Sequence, residues 1–155
     1  MKKLLTTLLV LVLSMSASAQ DADALYEEGK ALYEQGDYRN AFPLLKQAAD
    51  LGHKKAQYRV GRCYDKGRGV EEDNAKAFRW YSKSAAQGYY KAEYQLARCF
   101  LKGKGTTANT RKAKEWVTKA VSGRKHGEEM LQEIRDGAAS GDSTDQQLLQ
   151  LLGVQ

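Results

Sequence analysis

Residues Gly61 to Phe78, GRCYDKGRGVEEDNAKAF, gather side chains suited to three kinds of chemistry. Gly67-Arg68-Gly69 has the small residues of a loop that wraps phosphate. Cys63 offers a thiol for metal or redox work, and Glu71, Glu72 and Asp73 offer carboxylates for proton transfer. A phosphate loop, however, needs a preceding strand and a third glycine, so that the backbone turns sharply and opens a helix towards the ligand. Here a helical pattern comes first, the third glycine is absent, and the element returns as Gly103-Lys104-Gly105. A turn between helices is expected, not a nucleotide site. The metal candidates are Cys63, Cys99, His53 and His126, and they lack the Cys-x-x-Cys or spaced His-His elements of a zinc site. No metal and no other cofactor is expected. The three acids sit before a helix, where its dipole favours negative charge. No arrangement of nucleophile, base and acid stands out, so no catalytic residue is assigned and an enzyme is not expected.

The chain says most of this stretch twice. Ala56, Tyr58, Arg62, Cys63, Gly67, Gly69, Ala77 and Trp80 recur 36 residues later as Ala92, Tyr94, Arg98, Cys99, Gly103, Gly105, Ala113 and Trp116. A shorter copy precedes them. Tyr26 and Gly29 stand 32 residues before Tyr58 and Gly61, whereas Asp37, Ala41 and Phe42 stand 36 before Asp73, Ala77 and Phe78. The first copy therefore has a shorter connection between its halves. A degenerate half-copy follows at HGEEMLQEIRDG.

Each copy must position its residues on two helices. Ala56, Val60 and Tyr64 recur at the four-residue spacing of one helical face. Gly67 and Gly69 then supply the left-handed backbone that ends a helix. Asp37, Asp73 and Asn109 are expected N-caps of the second helices, their side chains accepting from unpaired N–H groups. Pro43 falls inside one of these helices, where it removes a hydrogen bond and crowds a carbonyl; a bend or a later helix start is expected there.

The pattern Ala56…Val60-Gly61…Tyr64…Gly67-x-Gly69-Val70…Asp73…Lys76-Ala77…Trp80-Tyr81…Ala85-Ala86…Gly88 resembles the Sel-one-like repeat, a relative of the tetratricopeptide repeat. The first copy is closer to a tetratricopeptide unit. The resemblance implies an all-α, right-handed solenoid of antiparallel helix hairpins. It also implies partner binding on the inner, concave face. Stacking is a physical necessity, because one hairpin cannot bury its apolar stripe alone. The expected division is a leader over 1–19, copies over 20–52, 53–88 and 89–123, a capping helix over 124–137, and a linker with a short tail helix over 138–155. Some exported members of the family carry disulfides. Here Cys63 and Cys99 occupy equivalent positions on successive helices. Axes about 8–10 Å apart exceed the roughly 7 Å that a bridge tolerates between Cα atoms, so buried thiols are expected.

The leader MKKLLTTLLVLVLSMSASA has the basic, apolar and small-residue order of a secretory signal, and its apolar run is short for a membrane span. An exported chain, periplasmic or released, is expected, with no stable membrane span after the leader is removed. Charge is segregated. Residues 20–52 hold three basic and seven acidic side chains, 53–125 hold nineteen and six, and 126–155 hold one and six. A basic middle between acidic ends suits an acidic partner or self-association. The candidate partner-binding residues form a ladder of Tyr26, Tyr58 and Tyr94 with Lys30, Arg62 and Arg98 four residues on, which shares one helical face. Tyrosine and arginine are enriched where partners bind tightly. The alternatives are tyrosines that pack between helices and bases that are merely solvated. The expected ligand is a protein or peptide with an acidic segment; an anionic cell-envelope polymer is the second reading, and nucleic acid is not expected. Ser143 and Gln146 are suited to a capping box on the tail helix.

Overall fold

The computed structural model describes residues 21–123 and 125–154; the expected leader lies outside them. Eight helices run in order among the described residues. They are α1 (21–34), α2 (Tyr38–Asp50), α3 (Lys54–Lys66), α4 (Asn74–Ala86), α5 (Tyr90–Lys102), α6 (Thr110–Ser122), α7 (Gly127–Ala139) and α8 (Ser143–Leu152). Consecutive helices pack as antiparallel hairpins, and the hairpins stack into an α-solenoid. None of the described helices is long and apolar enough to cross a membrane.

Local signals set the helix ends. Gly67 and Gly103 close α3 and α5 in the left-handed conformation, at φ of 62° and 67°. Asp37, Asp73 and Asn109 each cap the following helix by accepting the N–H three residues ahead. The two long loops are also tied across their base: the Asp73 N–H donates to the Tyr64 carbonyl and the Asn109 N–H to that of Phe100. Pro43 does not delay α2, which begins directly after Asp37 and runs through the proline. The Asp37 cap and the buried Ala41, Leu45, Ala48 and Ala49 hold the helix; one lost hydrogen bond does not outweigh that burial.

Two glycine devices hold the copies together. A methyl group on Gly69 would run into the Tyr38 carbonyl, and one on Gly105 into the Asn74 carbonyl. Each loop thus rests on the first residue of the second helix in the preceding copy. The other device lies within a copy. A Cβ on Gly61 would stand 2.6 Å from the Tyr81 ring, and one on Gly29 would stand 2.9 Å from Leu45. In the third copy the small position is Ala97, and the residue matching Tyr81 is the smaller Val117. Volume is exchanged across the hairpin, as close packing requires. Gly61→Ala should therefore cost about 1–3 kcal/mol by overpacking, and Tyr81→Val should recover part of it. Urea midpoints of both single variants and the double variant check this; additive losses would contradict it.

The core consists of three clusters along the array. Cys63 lies in the first and Cys99 in the second, both as buried thiols. Burial pushes each thiol up to about 11, which makes them poor nucleophiles near neutrality.

His53 caps α3 by an uncommon route. Its Nδ1 accepts from the Ala56 N–H at 3.0 Å, and its Nε2 faces Asp23 at 3.2 Å. Capping in this way requires a bare Nδ1, and burial lowers the His53 pKa against the opposing pull of Asp23. A depressed pKa contributes stability that is present above the unfolded value and lost as pH falls through the folded one. Wild-type stability should therefore drop between about pH 7.5 and about pH 5, and His53→Asn, which keeps an accepting cap, should flatten that slope. Denaturant midpoints at the two pH values test this.

Candidate functional site

The six ladder residues do not share one environment. Tyr26, Tyr58 and Tyr94 have buried rings, only 6%, 9% and 6% exposed. The first two pack under the residue that opens the next copy: Tyr26 stacks on His53 with centroids 4.3 Å apart, and Tyr58 meets Tyr89 edge-on at 5.3 Å. Their rings therefore serve inter-copy packing.

The three bases diverge further. Lys30 pairs locally with Glu27 at 3.2 Å on the surface. Arg98 is taken by the chain itself. Its Nη1 donates to Asp145 Oδ1 and its Nη2 to Asp142 Oδ2, both at 2.7 Å. The Tyr94 hydroxyl donates to the same Asp145 oxygen at 2.7 Å. Burial opposes the charge on Arg98, but its bond to Asp142 and the nearby Tyr94 and Asp145 more than compensate, so its pKa is raised. The Asp142 carboxylate is held well below the usual range: the Arg98 bond and the Thr144 and Asp145 N–H groups outweigh its desolvation. Arg62 has no ion-pair partner among the described residues. It is half-buried, with the phenols of Tyr58, Tyr33 and Tyr81 as its principal polar neighbours.

The tail explains this difference. α7 runs past Gly137 to Ala139, so the linker expected from residue 138 shrinks to a tight connection before α8. The α8 N-cap is Asp142, which accepts from the Thr144 and Asp145 N–H groups; Ser143 is the first helical residue and Gln146 instead donates to the Ala138 carbonyl. The capping box expected at Ser143 and Gln146 therefore does not form, because the aspartate one residue earlier already satisfies those donors. α8 packs on α7, reaches α6 and α5, and buries Leu148 completely. Gly137 admits the Asp145 carboxylate, which a methyl at that position would strike. Asp142 and Asp145 are the site residues that sequence reasoning missed. Their signal was two acids three residues apart at a helix start.

Between α3 and α5 a groove of about 280 Å³ remains open. Arg62, Lys66, Lys102 and Lys104 line it against Asp65 and Glu133. Asp65 is engaged, at 2.6 Å from Lys104 and 3.3 Å from Lys66. Tyr81 also lines the groove, and its buried hydroxyl has no hydrogen-bond partner among the described residues. Among the described residues no three His, Cys, Asp or Glu side chains converge as a metal site. With Asp65 already engaged, the groove's excess of cations and its phenol donors suit it to holding carboxylates.

An α-solenoid of loop-tied helix hairpins with such a groove belongs to the class of helical-repeat interaction proteins. More particularly, this chain belongs to the Sel1 repeat family, whose sequence pattern matches residues 17–53, 54–89 and 91–123. A Sel1 repeat protein from Oxalobacter formigenes is similar in structure, with 32% identity and a TM-score of 0.62 over 79% of this chain and 97% of that one. The protective antigen c5321 of uropathogenic Escherichia coli gives 26% identity and a TM-score of 0.64 over 86% of this chain and 34% of its own. The localization factor PodJL of Caulobacter vibrioides is 41% identical over 61 residues, 39% of this chain but 6% of that protein. DAP3-binding cell death enhancer 1 of Rattus norvegicus is 52% identical over 42 residues, 27% of this chain and 8% of its length. The chain thus spans a small part of these longer relatives. Arrays of this kind typically mediate protein–protein interaction.

Proposed function

We propose that the chain is an exported adaptor that holds an acidic segment of a protein partner on its concave face, around Tyr58 and Arg62. One observation carries the reading: a half-buried guanidinium without a carboxylate partner among the described residues faces an open groove rich in cations. A buried or half-buried arginine is stabilised by paired, hydrogen-bonded anions, and a carboxylate-bearing segment supplies them. The names of PodJL, a localization factor, and of the DAP3-binding protein fit a scaffold rather than a catalyst. Export rests on the leader pattern at residues 1–19.

The test uses the chain over residues 20–155 as bait in envelope extracts, beside Arg62→Ala and the double variant Tyr58→Ala with Arg62→Ala. Wild type should retain a protein partner that Arg62→Ala releases, and added salt should weaken the contact by screening. Arg62→Ala alone is informative because it spares the buried Tyr58 ring. Equal retention by wild type and both variants would sink the reading. Cleavage after Ala19, seen by N-terminal sequencing of the periplasmic fraction, tests the export half.

A further inference from the structure

We infer that the Arg62 groove is a receptor for the first turn of an acidic helix, one carrying carboxylates at its N-cap and three residues later. The inference rests on the adaptor reading and names the chemistry of its ligand. The template is in the chain itself. Tyr94 and Arg98 stand 36 residues after Tyr58 and Arg62, in the same helical register. They already bind such a turn: Asp142 is the N-cap of α8 and Asp145 is its third residue. The guanidinium divides its two ends between the carboxylates, and the tyrosine hydroxyl takes up the second acid. This is the fork geometry that distinguishes arginine from a point charge. Asp142 also accepts two N–H groups of its own helix. The turn therefore arrives with its N-cap carboxylate already oriented, which lowers the entropy lost on docking.

The open copy is equipped for the same ligand, with more positive charge. At the filled site the opposing helix presents Gly137, which makes room for Asp145. The half-copy lies 35 residues after its match, so the counterpart of Gly137 across the open groove is Lys102. A glycine is thus replaced by a base. Arg98 is spent on α8, whereas Lys102 is exposed and lines the groove. Tyr81, where the filled copy has Val117, adds a hydroxyl that has no partner among the described residues. A buried hydroxyl left unpaired is disfavoured, and a carboxylate or helix-turn acceptor at the groove would satisfy it. The acids of the groove do not fill this role: Asp65 is held by Lys104 and Lys66, and Glu133 is exposed and forms no ion pair among the described residues.

The experiment titrates the full mature chain with a peptide, SGDSTDQQLLQ, taken from residues 140–150 and held helical by a side-chain staple away from both aspartates. The comparison peptide is an unstapled permutation with the two aspartates adjacent. Amide NMR shifts report where each binds. The expected result is shifts around Arg62 and Tyr81, binding about tenfold or more tighter than the permutation, and a similar loss in Arg62→Ala and in Lys102→Glu. Lys102 is exposed, so Lys102→Glu should leave the fold intact, which separates loss of binding from loss of structure. Equal binding of the two peptides, still dependent on Arg62, would overturn the helix-turn inference and leave the adaptor reading standing. Shifts confined to Tyr94 and Arg98, with release of α8, would also overturn it. So would no binding by either peptide while the native partner still depends on Arg62. The adaptor reading fails separately, if the native partner ignores Arg62.

Discussion

Gly69→Ala and Gly105→Ala are expected to destabilise the array by about 2–5 kcal/mol each, a large share of a domain's total of about 5–15 kcal/mol. Two costs add. Both glycines sit in the left-handed region, at φ of 70° and 71°, where an L-residue costs about 1–2 kcal/mol. Each new methyl would also meet a backbone carbonyl of the preceding copy, Tyr38 or Asn74. That atom cannot swing away as a side chain does, so overpacking adds about 1–3 kcal/mol. Gly88→Ala is the internal control. Its φ is also 70°, but nothing stands within 4 Å of a Cβ there, so only the backbone cost applies. Equilibrium urea unfolding separates the two costs. If Gly69→Ala loses no more than Gly88→Ala, the loop is not the contact that seats one copy on the next.

Arg98→Ala should release α8 and cost about 3–5 kcal/mol, the usual penalty for stranding a buried charge. The Asp145 side chain is only 4% exposed, and without the guanidinium it keeps a single strong donor, the Tyr94 hydroxyl. The loss should be local. Amide exchange should accelerate at Leu148 and Leu149 and remain slow at Val60 and Ala77, because neighbouring copies are coupled only through their shared interface. Arg98→Lys should restore little of this, since one ammonium cannot address two carboxylates with a planar fork. Acid should act in the same direction. The Asp142 pKa is depressed by Arg98 and by the cap N–H groups, against its desolvation. A depressed carboxylate contributes stability that is complete above its ordinary value of 3.8 and fades as pH falls through the folded value. α8 should therefore loosen below about pH 4, before the array unfolds. Retained Leu148 protection in Arg98→Ala would show that apolar packing alone holds the tail.

The sequence displayed the parts that follow from neighbours along the chain. The Gly67 and Gly103 helix stops, the Asp37, Asp73 and Asn109 caps and the 36-residue period are written in contiguous residues and in their spacing. The later helix start that Pro43 suggested does not occur, because burial of Ala41 and Leu45 carries α2 through a residue that disfavours it. The tail misled for a different reason. Residues 138–145 have linker composition, but Asp142 and Asp145 find their partner 44 and 47 residues away. No local pattern records that meeting.

The candidate site divides in the same way. By itself the sequence determined a repeating hairpin array with a tyrosine–base ladder on one face, since period and helical spacing are properties of the chain. Tertiary structure alone decided the fate of each rung. Tyr26 and Tyr58 are closed over by the next copy, Arg98 is neutralised by a helix folding back, and Arg62 is left facing an open groove. The physical reason is that a charge's environment depends on what packs against it in space, and three rungs of one ladder meet three different neighbours.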